Sequence, residues 1–492
     1  MMAVNVERAL PDLLRGFAAS VPSVSVRGIQ IDSRKVRPGE LFLACKGHDQ
    51  HGLSYLDQAL KNGASAVLWE PATGVDAPSA PVPTVAVQQL SHKVGEIAAR
   101  FFGEPTRIIN TVGITGTDGK TSTAWLLAQS LERLGRPCAY LGTLGYGRVG
   151  QLAAATHTTP DPVSLQAYFA EFLEQGIQAA AMEVSSHALD QDRVAGVNFS
   201  VVILTNLTRD HLDYHGTVEN YAAAKRRLFE REEPLALIFN RDDAYGARWS
   251  SEFSKATVYG LDGDKPRSGS YVLGRKLELH GNGIGFEIDS SWGTGRLESR
   301  LLGRFNAYNL LAALAALLHS GVELDDALVA LSQAHTVPGR IEAYRGKHAS
   351  PLVVVDYAHT PQALEQILKA VRAHTTGKLW CVFGCGGDRD RGKRPLMGAA
   401  AAAFADEVII TDDNPRSEKP EAIVAEIQTG LPSERKVRVI HDRAEAIRAA
   451  VAMAAGNDAV VIAGKGHEET QIYGADVRRF SDREFVARLV NG

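Results

Sequence analysis

The sequence predicts an α/β protein with three domains, and three observations support this fold class. The chain has 492 residues, which is too long for a single hydrophobic core. A glycine-rich loop, GITGTDGKTST at 113–123, lies between a predicted strand and a predicted helix, as in nucleotide-binding parallel sheets. Beyond residue 342, short apolar runs alternate with alanine-rich helical stretches, which indicates a parallel sheet covered by helices on both faces.

The first predicted domain is small and α/β, and it spans residues 1–106. Its strand-like runs alternate with turns, and HGLSYLDQALKNGASAVLWE predicts a helix followed by a strand. The central domain spans 107–337 and repeats the order strand, glycine loop, helix, like a P-loop ATPase. The segment TVPGRIE separates it from a C-terminal Rossmann-like domain, 338–492.

The composition is that of an ordinary globular protein. The net charge is −4, which argues against a nucleic-acid scaffold, because that role requires a cationic face. No run reaches the roughly 18 apolar residues of a membrane helix, and the first residues lack the layout of a secretory signal. Cys381 and Cys385 do not have the usual metal or redox spacing, so we expect them to pack in a core. We therefore expect a cytoplasmic monomer that binds no nucleic acid and does not insert into a membrane.

The glycine loop is the strongest single motif, and it predicts a site for ATP or GTP. The backbone N–H groups of such a loop and the N-terminus of the following helix face phosphate oxygens. Lys120 is placed to reach the β- and γ-phosphates, and the Thr121 hydroxyl is placed to ligate Mg²⁺. Five residues separate Gly113 from Gly119, one more than in the strict P-loop pattern. The alternative, a helix-capping turn beside a surface lysine, does not account for the Lys-Thr pair.

Three later stretches contain residues that suit a second metal ion. Glu183 and His211 each follow a predicted buried strand. An oxygen and an imidazole ligand at neighbouring strand ends can hold Mg²⁺ next to a phosphoryl group. A salt bridge at the strand end is the alternative interpretation. Lys225 lies in the helical stretch NYAAAKRRLF, and its spacing alone predicts a lysine on the surface of a helix.

Every predicted strand of the C-terminal domain ends in polar residues. These ends are DYAHTP, GCGGDRDRGKR, DDNPRSE, HDR and GKGHE. Ligands of open α/β sheets bind beyond the carboxyl ends of the strands, so this domain is predicted to bind a ligand. Arg416 in DDNPRSE is one candidate contact, and a solvent-exposed arginine at a helix N-terminus is the alternative.

Taken together, these motifs resemble the Mur ligases, a family of ATP-dependent amide-bond ligases of peptidoglycan synthesis. The resemblance extends over essentially the whole chain. It implies that ATP phosphorylates a carboxylate and that an amine then attacks the acyl phosphate. It also implies a uridine-binding N-terminal domain and two substrates, UDP-N-acetylmuramoyl-L-alanyl-D-glutamate and meso-2,6-diaminopimelate. The matching blocks are, in order, GITGTDGKTST, HTTPDP, MEVSSHALDQDR, TNLTRDHLDYHG, AAKRRLF, LLGRFNAYNLLAA, VPGRIE, VVDYAHTP, FGCGGDRDRGKRPLMG, TDDNPRSE and AGKGHE.

The resemblance further implies roles for individual residues, together with two Mg²⁺ ions and a CO₂-derived carbamate on Lys225. The residues expected to bind ATP are Gly116, Thr117, Asp118, Gly119, Lys120, Thr121, Asn309, Arg340 and Asp356. The expected metal ligands are Thr121, Glu183, His211 and Lys225, and the expected catalytic residues are Lys120, Lys225, His211 and His359. The residues expected to bind the nucleotide substrate are Ile31, Ser33, His48, Asp49, Gln50, His157, Thr158, Thr159, Ser185, Gln191 and Arg193.

Two of these residues depart from the family pattern. Asp118 and His157 stand where asparagine is common in the family. Both preserve hydrogen bonding, so neither changes the implied function.

The family pattern also identifies the incoming amino acid. In the family, DNPR marks the enzymes that add diaminopimelate, whose far carboxylate fits the planar donor pair of an arginine. Glu468 is expected to pair with the distal ammonium group. The residues expected to bind diaminopimelate are Arg389, Asp413, Asn414, Pro415, Arg416, Gly464 and Glu468.

Three alternative functions remain open at the level of the sequence. One is a ligase of the same family that adds L-lysine. A folylpolyglutamate synthase is another, although it lacks a uridine-binding domain and the DNPR segment. The third is an ATP-switched binding protein without ligase chemistry.

Overall fold

The structure, a computed structural model, describes residues 6–47, 50–155, 157–346 and 350–491. The chain divides into two compact units. The first contains the residues up to 259 together with 266–271 and 315–322, and the second contains 260–265, 272–314 and the residues from 323 onward.

The N-terminal part of the first unit is built on a parallel sheet with the order β3-β4-β5-β6. Strand β4, ELFLA, alternates its side chains between two cores. Leu41 and Leu43 pack in one cluster, and Phe42 and Ala44 pack in the other. The elements are β1 Arg8–Ala9, α1 Leu10–Leu13, β2 Ser25–Val26, β3 Gly28–Gln30, β4 Glu40–Ala44, α2 Leu56–Lys61, β5 Ala66–Trp69, β6 Thr84–Ala86 and α3 Leu90–Phe101.

The central region of the chain contains the glycine loop. Its strands follow the order β13-β12-β11-β7-β10-β8-β9, and β7 has parallel neighbours on both sides. The elements are β7 Asn110–Thr115, α4 Lys120–Arg133, β8 Cys138–Gly142, β9 Gly145–Arg148, α5 Pro162–Glu174, β10 Ala179–Glu183, α6 Ser186–Asp190, β11 Val201–Leu204, α7 Leu212–His215, α8 Val218–Arg226, β12 Ala236–Asn240, α9 Ala244–Ser250 and β13 Ala256–Leu261.

An antiparallel meander and two helices follow. Strand β15 pairs with β14 on one side and with β16 on the other. The elements are β14 Ser270–His280, β15 Gly283–Ser290, β16 Gly293–Ser299, α10 Arg304–His319 and α11 Leu324–Ser332.

The C-terminal region contains a six-stranded sheet with the order β17-β18-β22-β19-β20-β21. Strands β18 to β22 of this sheet are parallel, and β17 adds an antiparallel edge. The elements are β17 Glu342–Tyr344, β18 Leu352–Asp356, α12 Pro361–Arg372, β19 Leu379–Phe383, α13 Lys393–Phe404, β20 Glu407–Ile410, α14 Pro420–Gln428, β21 Arg438–Val439, α15 Arg443–Met453, β22 Ala459–Ala463, β23 Thr470–Tyr473, β24 Asp476–Arg479 and α16 Asp482–Asn491.

Helices cover both faces of this sheet, as the continuous apolar strands predict. Val354 and Ile410 pack in one core with α12, α13 and α14, whereas Val353 and Ile409 pack in the other with α15 and α16. The predicted α/β class with three sheet-based regions is therefore confirmed. Strand β21 is shorter than the run KVRVI predicts. It extends over only two residues and lies at the edge of the sheet.

The predicted core packing of the cysteines is also confirmed. Cys381 and Cys385 are buried and belong to the same core cluster. Burial raises the pKa of the Cys385 thiol to about 12.

Candidate active site

The glycine loop connects β7 to α4 in the way the motif predicts. Gly116 has a φ of +149°, and a Cβ atom there would lie 1.9 Å from the Thr205 hydroxyl oxygen. That hydroxyl donates to the carbonyl of Asp118 at 2.6 Å, so it fixes the loop from the neighbouring strand end. Glycine is therefore required at 116, both for the backbone conformation and for the close approach. The Asp118 side chain is exposed, and its backbone N–H donates to the Asn206 side chain.

Replacing Gly116 with alanine is expected to destabilise the first unit by about 1–3 kcal/mol. The added methyl group would collide with Thr205 and would need a backbone conformation that alanine rarely adopts. Chemical denaturation measures the effect. Gly135→Ala is a control for glycine conformation alone, because Gly135 also has a positive φ but has open space around its Cβ position. Equal losses in the two variants would contradict the importance of the Thr205 contact.

The Lys120 side chain folds back and contacts the backbone of the glycine loop. Its ammonium group donates to the carbonyl of Gly116 at 2.8 Å and to that of Thr117 at 2.7 Å. Burial lowers the pKa of Lys120, and the nearby carboxylates of Glu183, Asp118 and Asp210 act against that shift. The group lies at the N-terminus of α4, where anions are stabilised.

Lys225 lies in the interior, so the surface position expected from its helical spacing is wrong. Its side chain is 1% exposed, and its amine donates to the carbonyl of Gly116 at 2.8 Å. It also lies 4.6 Å from the centre of the Tyr221 ring. Burial lowers the pKa of Lys225 far below its usual range, and the charge of Lys120 acts in the same direction. Both effects favour the neutral amine over the charged form.

Replacing Lys225 with methionine is expected to raise the free energy of unfolding in CO₂-free buffer. Because the folded-state pKa is lowered, unfolding takes up a proton at any pH between the folded and unfolded pKa values, and the native state loses stability there. The gain of the variant should therefore be present at about pH 7 and should shrink towards about pH 10, where the unfolded lysine also loses its proton. Thermal unfolding measured across this range tests the prediction. A gain that grows with pH would contradict it.

Glu183 ends β10 directly beside the loop, and it is fully buried. One carboxylate oxygen accepts from the Thr121 hydroxyl at 2.9 Å, and the other accepts from the backbone N–H of Thr143 at 2.9 Å and from the Tyr140 hydroxyl. The described residues give Glu183 no ion pair, so the salt-bridge alternative is wrong for this residue. A carboxylate and a hydroxyl in direct contact at the end of a phosphate loop are the oxygen ligands that Mg²⁺ prefers.

His211 lies at the edge of this group. It has a φ of +49°, its ring is half exposed, and its Nε2 atom is 3.4 Å from Asp210. The ring centre is 6.1 Å from that of Tyr221, which also contacts Lys225. Among the described residues, no group of three or more His, Cys, Asp or Glu side chains is arranged to hold a metal ion. A second metal ion at His211 would therefore need a further ligand, and a carbamate on Lys225 has the required chemistry.

Three predicted nucleotide-substrate contacts lie next to Glu183. The Thr159 hydroxyl donates to the Glu183 carbonyl at 2.9 Å and accepts from the backbone N–H of Ser185 at 3.1 Å. Thr158 contacts the hydroxyl of Thr143, which itself donates to Glu183 at 3.3 Å. These hydroxyl groups connect the predicted metal site to the predicted substrate site.

Arg193 and Gln191 are two further predicted nucleotide-substrate contacts, and they bond to this group. The Arg193 guanidinium donates to the carbonyl of Thr159 at 3.1 Å and to the side-chain oxygen of Gln191 at 2.9 Å. Gln191 in turn donates to the Tyr214 hydroxyl at 3.0 Å. Burial lowers the pKa of Arg193, and the carboxylate of Asp161 acts against that shift. His157, the remaining predicted contact of this group, is exposed.

The predicted uridine contacts lie in the N-terminal part of the first unit. Ile31 is exposed, the Ser33 hydroxyl donates to Gln58 at 2.9 Å, and the Gln50 side chain accepts from Tyr55 at 2.7 Å. These assignments stay predictions. His48 and Asp49 lie outside the described residues.

The other predicted ATP contacts and His359 belong to the second unit. Asn309 is buried and donates to Asn306 at 2.9 Å. The Asp356 carboxylate accepts two backbone N–H groups, from Ile341 at 2.8 Å and from Ala358 at 2.7 Å. Burial raises the pKa of Asp356, although these two hydrogen bonds oppose the shift. Arg340 and His359 are exposed, and all four assignments stay predictions.

The predicted amino-acid contacts converge beyond β20 and β22. Asn414 donates to the Glu468 carboxylate at 2.9 Å. A Cβ atom at Gly464 would lie 2.6 Å from the Asp413 carboxylate, so only glycine allows this approach. Asp413 is buried, and burial raises the pKa of its carboxyl group. Pro415 is also buried in this loop.

Arg416 has a defined place in the same loop. It precedes α14 by four residues and is half-buried. The alternative interpretation, a solvent-exposed arginine at a helix N-terminus, is therefore wrong. Its guanidinium donates to the carbonyl of Gly387 at 2.8 Å. Its backbone has a φ of +53° and is fixed by a bond from its N–H to the Ile472 carbonyl at 2.9 Å. A Cβ atom at Gly386 would lie 2.9 Å from the Arg416 guanidinium and 3.7 Å from the Cγ atom of Arg389, so both arginine side chains contact the backbone at Gly386.

Sequence reasoning missed three residues of these groups. Tyr140 and Thr143 hold Glu183, but their stretch CAYLGTLGYG has no charged residue that would mark it. Lys465 is fully buried and contacts Asn414 and Glu468. Its position between the predicted contacts Gly464 and Glu468 is the signal that could have identified it.

Three domain families of the Mur ligases match this chain. The Mur ligase middle domain matches residues 114–317, the glutamate ligase domain of Mur ligases matches 339–466, and the Mur ligase catalytic domain matches 25–102. None of the helices among the described residues has the length and apolar character of a membrane span.

Curated relatives match almost the whole chain. A protein of Coxiella burnetii (strain RSA 493 / Nine Mile phase I) is 46% identical over 469 residues, which cover 95% of this chain and 96% of the relative. One from Alkalilimnicola ehrlichii (strain ATCC BAA-1101 / DSM 17681 / MLHE-1) is 48% identical over 476 residues, covering 94% and 95%. Both are named UDP-N-acetylmuramoyl-L-alanyl-D-glutamate–2,6-diaminopimelate ligase. A solved structure of a ligase with that name covers 98% of both chains with a TM-score of 0.79 and 35% identity.

Proposed function

This chain belongs to the Mur ligase family, and we propose that it joins meso-2,6-diaminopimelate to UDP-N-acetylmuramoyl-L-alanyl-D-glutamate with ATP. The reaction forms an amide bond in a peptidoglycan precursor and releases ADP and phosphate. The observation that carries the choice of amino acid is that Asn414, Glu468 and Arg416 lie at the strand ends beyond β20 and β22, with Asn414 bonded to Glu468 and Arg416 beside Gly386. Two relatives named for this activity are 46% and 48% identical to this chain over nearly its full length.

The residues of the glycine loop bind and orient the phosphates. The loop N–H groups and the N-terminus of α4 stabilise negative charge, and Lys120 has to exchange its two carbonyl partners for phosphate oxygens. This positioning matters because phosphoryl transfer depends mainly on alignment and charge stabilisation. The product is an acyl phosphate on the D-glutamate carboxylate, and phosphate is then a far better leaving group than oxide.

The residues around Glu183 fit Mg²⁺. Thr121 would hold one ion, and Glu183 and His211, with a carbamate on Lys225, would hold a second. Bound Mg²⁺ supplies charge stabilisation for the transferring phosphoryl group. The neutral amine of Lys225 is the form that reacts with CO₂, which supports the carbamate proposal. Thr158, Thr159, Ser185, Gln191 and Arg193 would orient the dipeptide end of the nucleotide substrate beside this group.

In the C-terminal region, charge complementarity fits an amino acid with two opposite charges at its far end. Arg416 and Arg389 present planar donors for a carboxylate, and Glu468 presents an acceptor for an ammonium group. We further propose three functional regions. Residues 1–106 bind the uridine nucleotide, 107–337 bind ATP and the reacting carboxylate, and 338–492 bind the incoming amino acid. Because its substrates are ATP and a nucleotide precursor, we propose a cytoplasmic enzyme.

An assay of purified protein tests the ligase activity. With ATP, Mg²⁺, the dipeptide nucleotide and diaminopimelate, phosphate release should match the amount of tripeptide nucleotide detected by mass spectrometry. Omission of the dipeptide nucleotide or of diaminopimelate should stop product formation. Steady ATP hydrolysis that needs neither substrate would contradict the proposal and would favour an ATP-switched binding protein.

A further inference from the structure

Lys465 is an unusual residue in the C-terminal region, because it is a completely buried lysine. Its exposed fraction is 0%, and it follows β22 in the segment GKGHE. Its ammonium group lies 3.0 Å from Oε2 of Glu468 and 3.2 Å from Oδ1 of Asn414. An unpaired ammonium group is strongly disfavoured in the interior, so these two contacts stabilise it there.

Both partners of Lys465 belong to the proposed diaminopimelate site. Asn414 is part of the DNPR segment, and Glu468 is its proposed ammonium acceptor. Apolar residues of similar volume often stabilise a protein interior as well as a buried ion pair does, so stability alone does not explain a lysine at this position. The contacts therefore connect Lys465 with ligand recognition.

Lys465 fixes the orientation of the Asn414 amide. Oδ1 of Asn414 accepts from Lys465 and from the backbone N–H of Ile472 at 3.1 Å. The amide nitrogen must then face Glu468, to which it donates at 2.9 Å. The three side chains form a closed triangle of hydrogen bonds.

The same triangle leaves one oxygen of Glu468 available. Lys465 and Asn414 both bind Oε2, and the described residues give Oε1 no hydrogen-bond partner. The Glu468 side chain is 33% exposed. Burial acts to raise the pKa of Glu468, but the bonds from Lys465 and Asn414 outweigh it and hold the pKa below its usual range. Glu468 thus presents an ionised, oriented oxygen.

We propose that Lys465 is a positioning residue for the incoming amino acid. It holds the Glu468 carboxylate in place through Oε2, so that Oε1 is directed to the distal ammonium group of diaminopimelate. This inference rests on the proposed function. It predicts that Lys465 controls the affinity for the amino acid and leaves the ATP and nucleotide-substrate sites unaffected.

The variant Lys465→Met tests the inference, since methionine keeps the length of the side chain and removes its charge. We expect the KM for diaminopimelate to rise roughly 10- to 100-fold, as for the loss of other residues that orient a ligand group. The KM values for ATP and for the dipeptide nucleotide, and kcat, should each change less than about threefold. The matched control is Lys369→Met, because Lys369 is an exposed lysine of α12 paired with Glu365.

A double-variant cycle separates this role from simple stabilisation. If Lys465 acts through Glu468, Lys465→Met combined with Glu468→Gln should raise the KM for diaminopimelate little beyond the larger single effect. The inference would be overturned if the two single-variant effects on the KM for diaminopimelate multiplied in the double variant. Equal rises of all three KM values, or a lower melting temperature with an unchanged KM for diaminopimelate, would also overturn it. Wild-type protein that makes no product from diaminopimelate would instead refute the proposed function.

Discussion

Replacing Lys225 with alanine is expected to lower the ligation rate on the order of 10²–10³-fold, as the loss of a preorganised electrostatic group commonly does. Lys225 lies 2.8 Å from the carbonyl of Gly116 inside the phosphate loop, and burial favours its neutral amine, the form that can carry a carboxylate-like carbamate. Alanine provides neither the amine nor a metal ligand. The rate is measured at saturating ATP, dipeptide nucleotide and diaminopimelate.

The control for this variant is Lys255→Ala, because Lys255 is an exposed lysine of the same unit. Added formate or acetate should restore part of the activity of Lys225→Ala, since a small carboxylate can replace the missing carbamate at the metal site. A variant that keeps more than about a third of the wild-type rate would contradict an electrostatic role of this size. Full loss without any rescue by carboxylates would contradict the carbamate.

Replacing Arg416 with alanine is expected to raise the KM for diaminopimelate roughly 30- to 150-fold, which corresponds to about 2–3 kcal/mol for a lost charge-assisted contact. The half-buried Arg416 guanidinium lies beside Gly386 and Gly387, and its planar donor group suits the far carboxylate of diaminopimelate. The KM for ATP should stay within about threefold of the wild-type value.

A second variant at the same position tests whether the planar shape of the guanidinium matters, and a variant elsewhere is its control. Arg416→Lys keeps the charge but loses the planar donor pair, so it should recover only part of the affinity. Arg438→Ala is the control, since Arg438 is an exposed arginine at the edge of the same sheet. Equal and small effects on diaminopimelate and ATP would contradict the role of Arg416.

The fold was largely predictable from the sequence, because each sheet has strong local signals. The continuous apolar run of β18 alternates its side chains between two cores, and helices cover both of them. The glycine loop also specifies its own geometry, as Gly116 shows. These signals depend on neighbouring residues in the chain, so no long-range information is needed to interpret them.

The site was less predictable, since its decisive contacts are between distant residues. Lys225 has the spacing of a surface lysine, and only the tertiary structure places its amine on the carbonyl of Gly116. Lys465 likewise becomes meaningful only through its contact with Asn414, 51 positions earlier in the chain. Tyr140 gives no sequence signal, because a tyrosine near a strand end is most often simply packed. Side-chain partners across a sheet cannot be inferred from spacing within one segment.

The choice of amino acid is the central claim, and a direct competition tests it. Purified protein receives ATP, Mg²⁺ and UDP-N-acetylmuramoyl-L-alanyl-D-glutamate together with equal amounts of meso-2,6-diaminopimelate and L-lysine. Mass spectrometry then measures the two tripeptide nucleotides. We expect the diaminopimelate product to exceed the lysine product by roughly 30-fold or more, in line with the free energy assigned to Arg416. Comparable amounts of the two products, or an excess of the lysine product, would contradict the account.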